Sequence, residues 1–174
     1  MKADVLRLFF ALRCPAELAS EIVAWRDALP VEGRALTAAN LHLTLAFLGQ
    51  QPRARVNELQ ELAARVEAAA FTLHLDQLGR LKNGLLFLAP SRPPAALLAL
   101  AQALRDELRT AGIPLESRAF KPHLSLLRHC PWLPLDATPS FDWPSTHFAL
   151  FSSRQSARGS HYQQLEQWPL RTNE

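Results

Sequence analysis

Two segments of the chain carry a histidine followed two residues later by a hydroxyl side chain. They are Leu41-His42-Leu43-Thr44-Leu45 and Pro122-His123-Leu124-Ser125-Leu126. Because alternate residues of a β-strand point to the same face, each segment predicts a strand with an imidazole and a hydroxyl on one side and leucines on the other. A single segment of this kind would carry little information, whereas two of them indicate a shared chemical task.

These four side chains are suited to opening a cyclic phosphodiester with water. Histidine titrates near neutral pH, so His42 and His123 can supply one ring that accepts the proton of water and one that protonates the leaving ribose oxygen. The hydroxyls of Thr44 and Ser125 can donate hydrogen bonds to the non-bridging oxygens, where negative charge lies in the transition state. This chemistry needs no metal ion, and the sequence predicts neither a metal site nor another cofactor.

The histidine segments must be positioned by regular elements, and each one ends a strand–helix–strand unit. The predicted strands are Val5–Arg13, Leu41–Gly49, Phe71–Leu78, Leu81–Ala89, Phe120–Arg128, Thr146–Ser153 and Tyr162–Trp168, and the predicted helices cover residues 16–29, 53–69 and 94–111. A proline-rich irregular loop is expected from Pro131 to Pro144, and a turn from Arg154 to Ser160.

This order of elements predicts an α+β fold. We expect residues 1–174 to form a single bilobal domain of two mostly antiparallel sheets, related by a pseudo-two-fold repeat of the strand–helix–strand unit. The helices should lie on the outside and the two histidine motifs should face a central cleft.

Composition permits this architecture without pointing to a partner. The 174 residues are 48% hydrophobic and 20% charged, which allows a sizeable core. Arginine accounts for 16 of the 19 basic residues, which suits phosphate binding but equally fits biased codon usage. No apolar run is long enough to span a membrane and the opening segment is too short for a signal peptide, so we expect a cytoplasmic protein with Cys14 and Cys130 reduced.

The sequence resembles the two-histidine phosphoesterase superfamily, and within it the bacterial RNA 2′,3′-cyclic phosphodiesterases first described as 2′–5′ RNA ligases. The likeness spans nearly the whole chain. The segments that carry it are Arg7–Leu12, Asn40–Gly49, Lys121–Arg128 and Tyr162–Leu170.

This resemblance implies that His42 and His123 are catalytic and that Thr44, Ser125 and Arg128 bind the phosphate. It implies hydrolysis of RNA ends or cyclic nucleotides to a 2′-phosphate, with His42 as acid and His123 as base. Independently of the resemblance, we expect a monomer with no membrane and no obligatory protein partner. Ser125 stands where the family often has threonine, which keeps the hydroxyl and loses only a methyl group.

Arg128 departs from the simple strand pattern, because strict alternation from His123 would place it on the buried face. Either the strand bulges or ends before Arg128, or the arginine is a structural residue whose charged tip reaches the surface. We favour the first explanation, which returns Arg128 to the cleft.

Phe9 and Phe10 are expected in the core, although the resemblance suggests that an aromatic near the cleft stacks on a base. Arg154, Arg158 and His161 surround a polar turn that is read as solvated, with phosphate binding as the alternative. The alternatives to hydrolysis are ATP-independent 2′–5′ joining of RNA ends at the same site, and an RNA- or nucleotide-binding module that has lost catalysis.

Overall fold

The computed structural model describes residues 4–172, so the first three and last two residues of the predicted domain lie outside the described part. The strands of this part are β1 Val5–Arg13, β2 Arg34–Ala35, β3 His42–Pro52, β4 Phe71–Leu75, β5 Gln77–Arg80, β6 Leu86–Ala89, β7 Leu124–Arg128, β8 Phe141–Ser145, β9 His147–Ser156 and β10 Gly159–Pro169. The helices are α1 Ala16–Asp27, α2 Val56–Ala64 and α3 Ala95–Thr110.

The strands form two antiparallel sheets. The larger sheet has the order β10-β9-β1-β3-β7-β6-β5, with the short β2 paired to β7, and the smaller sheet pairs β4 with β8. The predicted α+β class with mostly antiparallel sheets is therefore confirmed. The two histidine strands, β3 and β7, are neighbours at the centre of the larger sheet.

The two strand–helix–strand repeats meet at a narrow junction. The first is β1–α1–β3 and the second is β6–α3–β7, and they join where Leu43 of β3 pairs with Leu124 of β7. Both leucines are fully buried, in the same core as Leu100 and Leu104 of α3. The apolar face of the sheet therefore packs against helices, which leaves the opposite face of the junction for polar side chains.

Each histidine strand contains a β-bulge three residues after its histidine. On β3 the register passes from Phe10↔Ala46 to Ala11↔Thr44, so Leu45 is the extra residue. On β7 it passes from Leu86↔Leu127 to Phe87↔Ser125, so Leu126 is the extra residue. A bulge reverses which face later side chains occupy, because it adds one residue to a period of two.

Several predicted segments were wrong in their bounds, and the strands predicted at Leu81–Ala89 and Phe120–Arg128 begin only at Leu86 and Leu124. The helix predicted over residues 53–69 begins with a 3-10 turn, Arg53–Arg55, and ends at Ala64. The strand predicted at Phe71–Leu78 divides into β4 and β5, which belong to different sheets. The expected turn from Arg154 to Ser160 is only two residues long, because β9 continues to Ser156 and β10 starts at Gly159.

The predicted irregular loop from Pro131 to Pro144 was also partly wrong, since its end belongs to β8. Trp143 anchors this strand with 2% of its surface exposed. Pro144 is tolerated because the sheet has only two strands and a proline at an edge need not donate a ladder hydrogen bond.

The two cysteines are free and buried, as expected, and burial raises the pKa of Cys14 to about 12. Among the helices of residues 4–172, none is long and apolar enough to cross a bilayer.

Candidate active site

The four predicted polar side chains converge where the histidine strands meet. Counting outwards from the Leu43↔Leu124 pair, His42 lies opposite Ser125 and Thr44 lies opposite His123. Directly opposed side chains on one face have Cβ atoms about 4.5–5.5 Å apart, and diagonal ones about 7–8 Å. The two imidazoles therefore occupy opposite corners of a small square, and the two hydroxyls occupy the other corners.

Both imidazoles are held in the same way. Nδ1–H of His42 donates to the carbonyl oxygen of Asn40 at 2.7 Å, and Nδ1–H of His123 donates to that of Lys121 at 2.9 Å. A carbonyl only accepts hydrogen bonds, so the proton of each neutral ring is fixed on Nδ1. Each Nε2 is consequently the atom available to accept or donate a proton in catalysis.

Aromatic rings enclose His42 on two sides. The centroid of its ring lies 4.9 Å from that of Phe9 and 5.0 Å from that of Tyr162, which it meets edge to face. Phe9 is itself stacked on Phe151, at 5.4 Å. His123 meets the ring of Phe87, at 5.5 Å.

This enclosure affects the proton affinity of His42. Burial lowers the pKa of His42 below its ordinary value of 6.5, outweighing the hydrogen bond to Asn40, which raises it. The positive charges of protonated His123 and of Arg128 lower it further. His42 therefore favours its uncharged form at neutral pH while no phosphate is bound.

Asn40 and Tyr162 were not singled out from the sequence. Asn40 joins the first motif to β10, because its side-chain amide donates to the carbonyl oxygen of Ser160 at 2.8 Å while its own carbonyl accepts from His42. Tyr162 lies two residues after Ser160 on β10, and its ring packs on that of His42. The available signals were the position of Asn40 two residues before the histidine and the fact that Tyr162 is the chain's one tyrosine.

The bulge at Leu126 decides the position of Arg128. It returns Arg128 to the face of Ser125, and both side chains line the same cleft. The predicted bulge before Arg128 is thus confirmed. His42 lines this cleft too, and the positive charge of Arg128 helps to lower the pKa of His42.

The bulge at Leu45 does the same for Phe47, which the sequence did not indicate as a site residue. Phe47 lines the cleft with 45% of its surface exposed, and the guanidinium of Arg7 lies 5.2 Å from its ring centroid. Phe47 and Arg128 each follow their histidine by five residues. The two repeats therefore place different side chains at equivalent positions.

Phe9 and Phe10 are both buried, and of the two only Phe9 lines the cleft. Phe10 is fully buried in the main core and packs near Trp168. Phe9 is 4% exposed and forms the wall behind His42. The expectation that they belong to the core is confirmed, and stacking of a base on one of them stays a prediction.

The cleft has a volume of about 200 Å³. Of the described residues that line it, none carries a carboxylate, and Arg7 and Arg128 are cationic. The cleft therefore favours an anion by charge as well as by its hydroxyl groups. The lining residues are Arg7, Phe9, Leu36, His42, Thr44, Phe47, Ser125, Arg128, Ser153, Gln155, Ser160 and Tyr162.

Two basic residues of the β9–β10 hairpin, Arg154 and His161, face away from this cleft. Ser153, Gln155 and Ser160 line it, so the cross-strand pair Arg154 and His161 lies on the opposite face. This placement agrees with a solvated hairpin. Elsewhere in the described part of the chain, no group of three or more His, Cys, Asp or Glu side chains is arranged to hold a metal ion.

Comparison with known proteins matches nearly the full chain. A family model described as the 2′-5′ RNA ligase superfamily matches residues 14–153. A relative from Escherichia coli strain K12 named RNA 2′,3′-cyclic phosphodiesterase is 37% identical over 169 residues, covering 94% of this chain and 96% of the relative. A Thermus thermophilus protein of the same name is 32% identical over 182 residues, covering 95% of this chain and 91% of the relative.

The fold is similar to that of solved structures. A crystal structure of Escherichia coli LigT complexed with 3′-AMP has a TM-score of 0.88 at 37% identity, with 95% of this chain and 98% of that chain covered. The similarity therefore includes both repeats and the junction between them.

Proposed function

The chain belongs to the 2′-5′ RNA ligase superfamily, and from this premise we propose that it hydrolyses RNA 2′,3′-cyclic phosphate ends to 2′-phosphate ends without a metal ion. The observation that carries the proposal is the square of two imidazoles and two hydroxyls, because a phosphorus bound between the imidazoles would have a proton acceptor on one side and a proton donor on the other. Small nucleoside 2′,3′-cyclic phosphates are expected to be substrates as well.

The reaction requires one histidine to accept a proton from water and the other to donate one to the leaving 3′-oxygen. The lowered pKa of His42 favours an uncharged ring in the free enzyme. We therefore assign the base role to His42 and the acid role to His123, which reverses the order suggested by sequence resemblance. Attack by water and departure of the 3′-oxygen lie in line on opposite sides of phosphorus.

Three other side chains stabilise the negative charge of the phosphate. The hydroxyls of Thr44 and Ser125 donate to the non-bridging oxygens, and the guanidinium of Arg128 adds a charged donor on the same face. Phe47, with Arg7 beside it, provides the exposed aromatic surface on which the terminal base stacks.

Replacement of the histidines tests this function. With a nucleoside 2′,3′-cyclic phosphate in buffer containing EDTA, His42→Ala and His123→Ala should each reduce kcat by about 10²–10⁴-fold, the usual contribution of a general acid or base. His161→Ala is the matched control, because His161 lies on the other face of the hairpin. Wild-type-like turnover by either of the first two variants would refute the proposal.

A substrate with sulfur in place of the bridging 3′-oxygen assigns the two roles. A thiolate leaves without a proton, so this substrate should restore turnover to the variant that lacks the acid and not to the one that lacks the base. Restoration of His123→Ala alone is expected. Restoration of His42→Ala alone would return the roles to the order suggested by sequence resemblance.

Joining of RNA ends through a 2′–5′ bond is the second candidate, and the description of the matching family favours it. It uses the same groups, with a 5′-hydroxyl in place of water. Hydrolysis should dominate because water is present at about 55 M and the cleft is open to it. Incubation with cyclic-phosphate and 5′-hydroxyl ends together, followed by measurement of joined and hydrolysed products, compares the two directly.

The described part of one chain supplies both histidine strands, and one buried core joins the two repeats. The protein should therefore act as a monomer, with residues 1–174 forming one bilobal domain and no obligatory protein partner. We also propose that it acts in the cytoplasm. Light scattering should give the mass of one chain, 19.4 kDa, and thermal unfolding should show a single transition.

A further inference from the structure

Two arginines lie beneath the histidine strands, one on the helix of each repeat. Arg26 belongs to α1 and is only 5% exposed, and Arg105 belongs to α3. A guanidinium withdrawn from water is costly unless its donors find partners. This cost applies in full to Arg26 and in part to Arg105, which is half-buried. In both cases a partner is a backbone carbonyl on the histidine strand of the other repeat.

Arg105 reaches the bulge on β3. Its Nε–H donates to the carbonyl oxygen of Leu45 at 3.4 Å, and its guanidinium lies 5.7 Å from the ring centroid of Phe120. The register of β1 skips Leu45, and it skips Leu48 further along, after Phe47. The arginine thus supplies a donor to the backbone at the point where the ladder is interrupted.

Arg26 reaches the corresponding bulge on β7. One terminal nitrogen of its guanidinium donates to the carbonyl oxygens of Leu36, at 2.6 Å, and of Leu126, at 3.4 Å. Leu126 is the residue that the register of β6 skips. Asp27 accepts from the other side of the guanidinium, at 3.0 Å, which orients the fork towards the bulge.

We infer that Arg26 and Arg105 are positioning residues that hold the two β-bulges and thereby keep Arg128 and Phe47 in the cleft. The consequence of each bulge is specific: without it, the side chain five residues after the histidine would turn to the buried face. Arginine suits this task because its planar fork donates in fixed directions and does not lose its charge. The effect on catalysis depends on the proposed function, whereas the effect on the backbone does not.

The two arginines should affect different parts of the reaction, because they support different side chains. Arg105→Met should act through Phe47, so kcat/KM should fall about tenfold, mainly through KM, for a nucleoside 2′,3′-cyclic phosphate. It should fall less than about twofold for methyl riboside 2′,3′-cyclic phosphate, which has no base to stack. Arg26→Met should act through Arg128 and reduce kcat/KM about equally for both substrates, by about tenfold.

Double variants show whether the arginines act through these side chains. In a Phe47→Ala background, Arg105→Met should lower kcat/KM by less than about twofold. The same should hold for Arg26→Met in an Arg128→Met background. Additive losses in both backgrounds would overturn the proposal and leave the arginines with a general packing role. Arg109→Met is the control, because Arg109 is exposed one turn further along α3.

Backbone hydrogen exchange provides a readout without activity. Arg105→Met should accelerate exchange at residues 44–47, and Arg26→Met at residues 125–128, each without affecting the other segment. Arg26→Lys and Arg105→Lys retain a cation and are the variants to use if methionine prevents folding; they should show the same local acceleration, to a smaller extent.

Unchanged exchange at both bulges in folded variants would overturn the inference. If the wild-type protein opens no cyclic phosphate while the local exchange effects are present, the proposed function fails and the positioning role stands.

Discussion

The repeat ending in His42 and the repeat ending in His123 share a backbone and differ in the side chains built upon it. In both, Nδ1–H of the histidine donates to the carbonyl two residues earlier, a hydroxyl follows two residues later, and a bulge follows at the third. The fifth residue is Phe47 in one repeat and Arg128 in the other. We propose that the common frame supplies two similar proton carriers, and that the divergent position specialises one repeat for a base and the other for a phosphate.

The surroundings of the histidines differ as well. His42 is enclosed between Phe9 and Tyr162 and tied through Asn40 to β10, whereas His123 meets the ring of Phe87. Register shows that Phe87 faces Ser125 as Ala11 faces Thr44. An alanine in the first repeat therefore leaves room that a phenylalanine fills in the second, and the rings around His42 come from other positions.

Removal of the side chain at the fifth position should reveal the largest difference between the two repeats. Arg128→Met should lower kcat/KM by about 10–100-fold for every cyclic phosphate, because it removes a charged hydrogen-bond donor. Phe47→Ala should lower it by about 5–100-fold only for substrates with a base. Arg154→Met is the control for lost positive charge, since Arg154 faces away from the cleft. Equal sensitivity of both variants to the base would remove the proposed division of labour.

The hydroxyl positions should behave as equivalents, with a smaller effect. Thr44→Val and Ser125→Ala should each reduce kcat by about tenfold or more, because each removes a donor to the developing charge. Thr44→Ser and Ser125→Thr keep that donor and should remain within about threefold of the wild type. Steady-state kinetics on one cyclic nucleotide measures all four variants; a large loss in either conservative exchange would show that the methyl group, not the hydroxyl, matters there.

Much of this frame is predictable from sequence because it depends on local patterns. His42 and Thr44 alternate with leucines, and so do His123 and Ser125, which defines two half-buried strands without reference to any partner. Helical periodicity similarly indicates α1 and α3 within a few residues of their observed ends.

The bulges are different, because they depend on the register between strands distant in sequence. Nothing in Leu43–Leu48 shows that β1 will skip Leu45, so an alternating pattern assigns Phe47 to the wrong face. Arg128 revealed its bulge only because a charged residue conflicted with a buried position. Strand β8 was missed for a related reason: Pro144 usually excludes a strand, and only the two-stranded partner sheet makes it acceptable.

The enclosure of His42 should also be visible in stability, as the smallest of these effects. The pKa of His42 is lowered in the folded state, so below about pH 6.5 the unfolded chain binds a proton that the folded protein resists. The free energy of unfolding therefore decreases as the pH is lowered. One such group contributes at most about 1.4 kcal/mol per pH unit. Urea unfolding at pH 7.5 and 5.5 should therefore show a smaller acid-induced loss for His42→Gln than for the wild type; an unchanged loss would mean that His42 is protonated freely in the folded state.

The placement of the two imidazoles on opposite sides of phosphorus is tested most directly by a crystal structure with a uridine–vanadate complex. In that complex vanadium takes the place of the pentacoordinate phosphorus. We expect Nε2 of His42 and Nε2 of His123 to approach the two opposite apical oxygens at about 2.6–3.2 Å. The hydroxyls of Thr44 and Ser125 should donate hydrogen bonds to the equatorial oxygens. Vanadate bound with both imidazoles on one side, or outside the space between them, would contradict it.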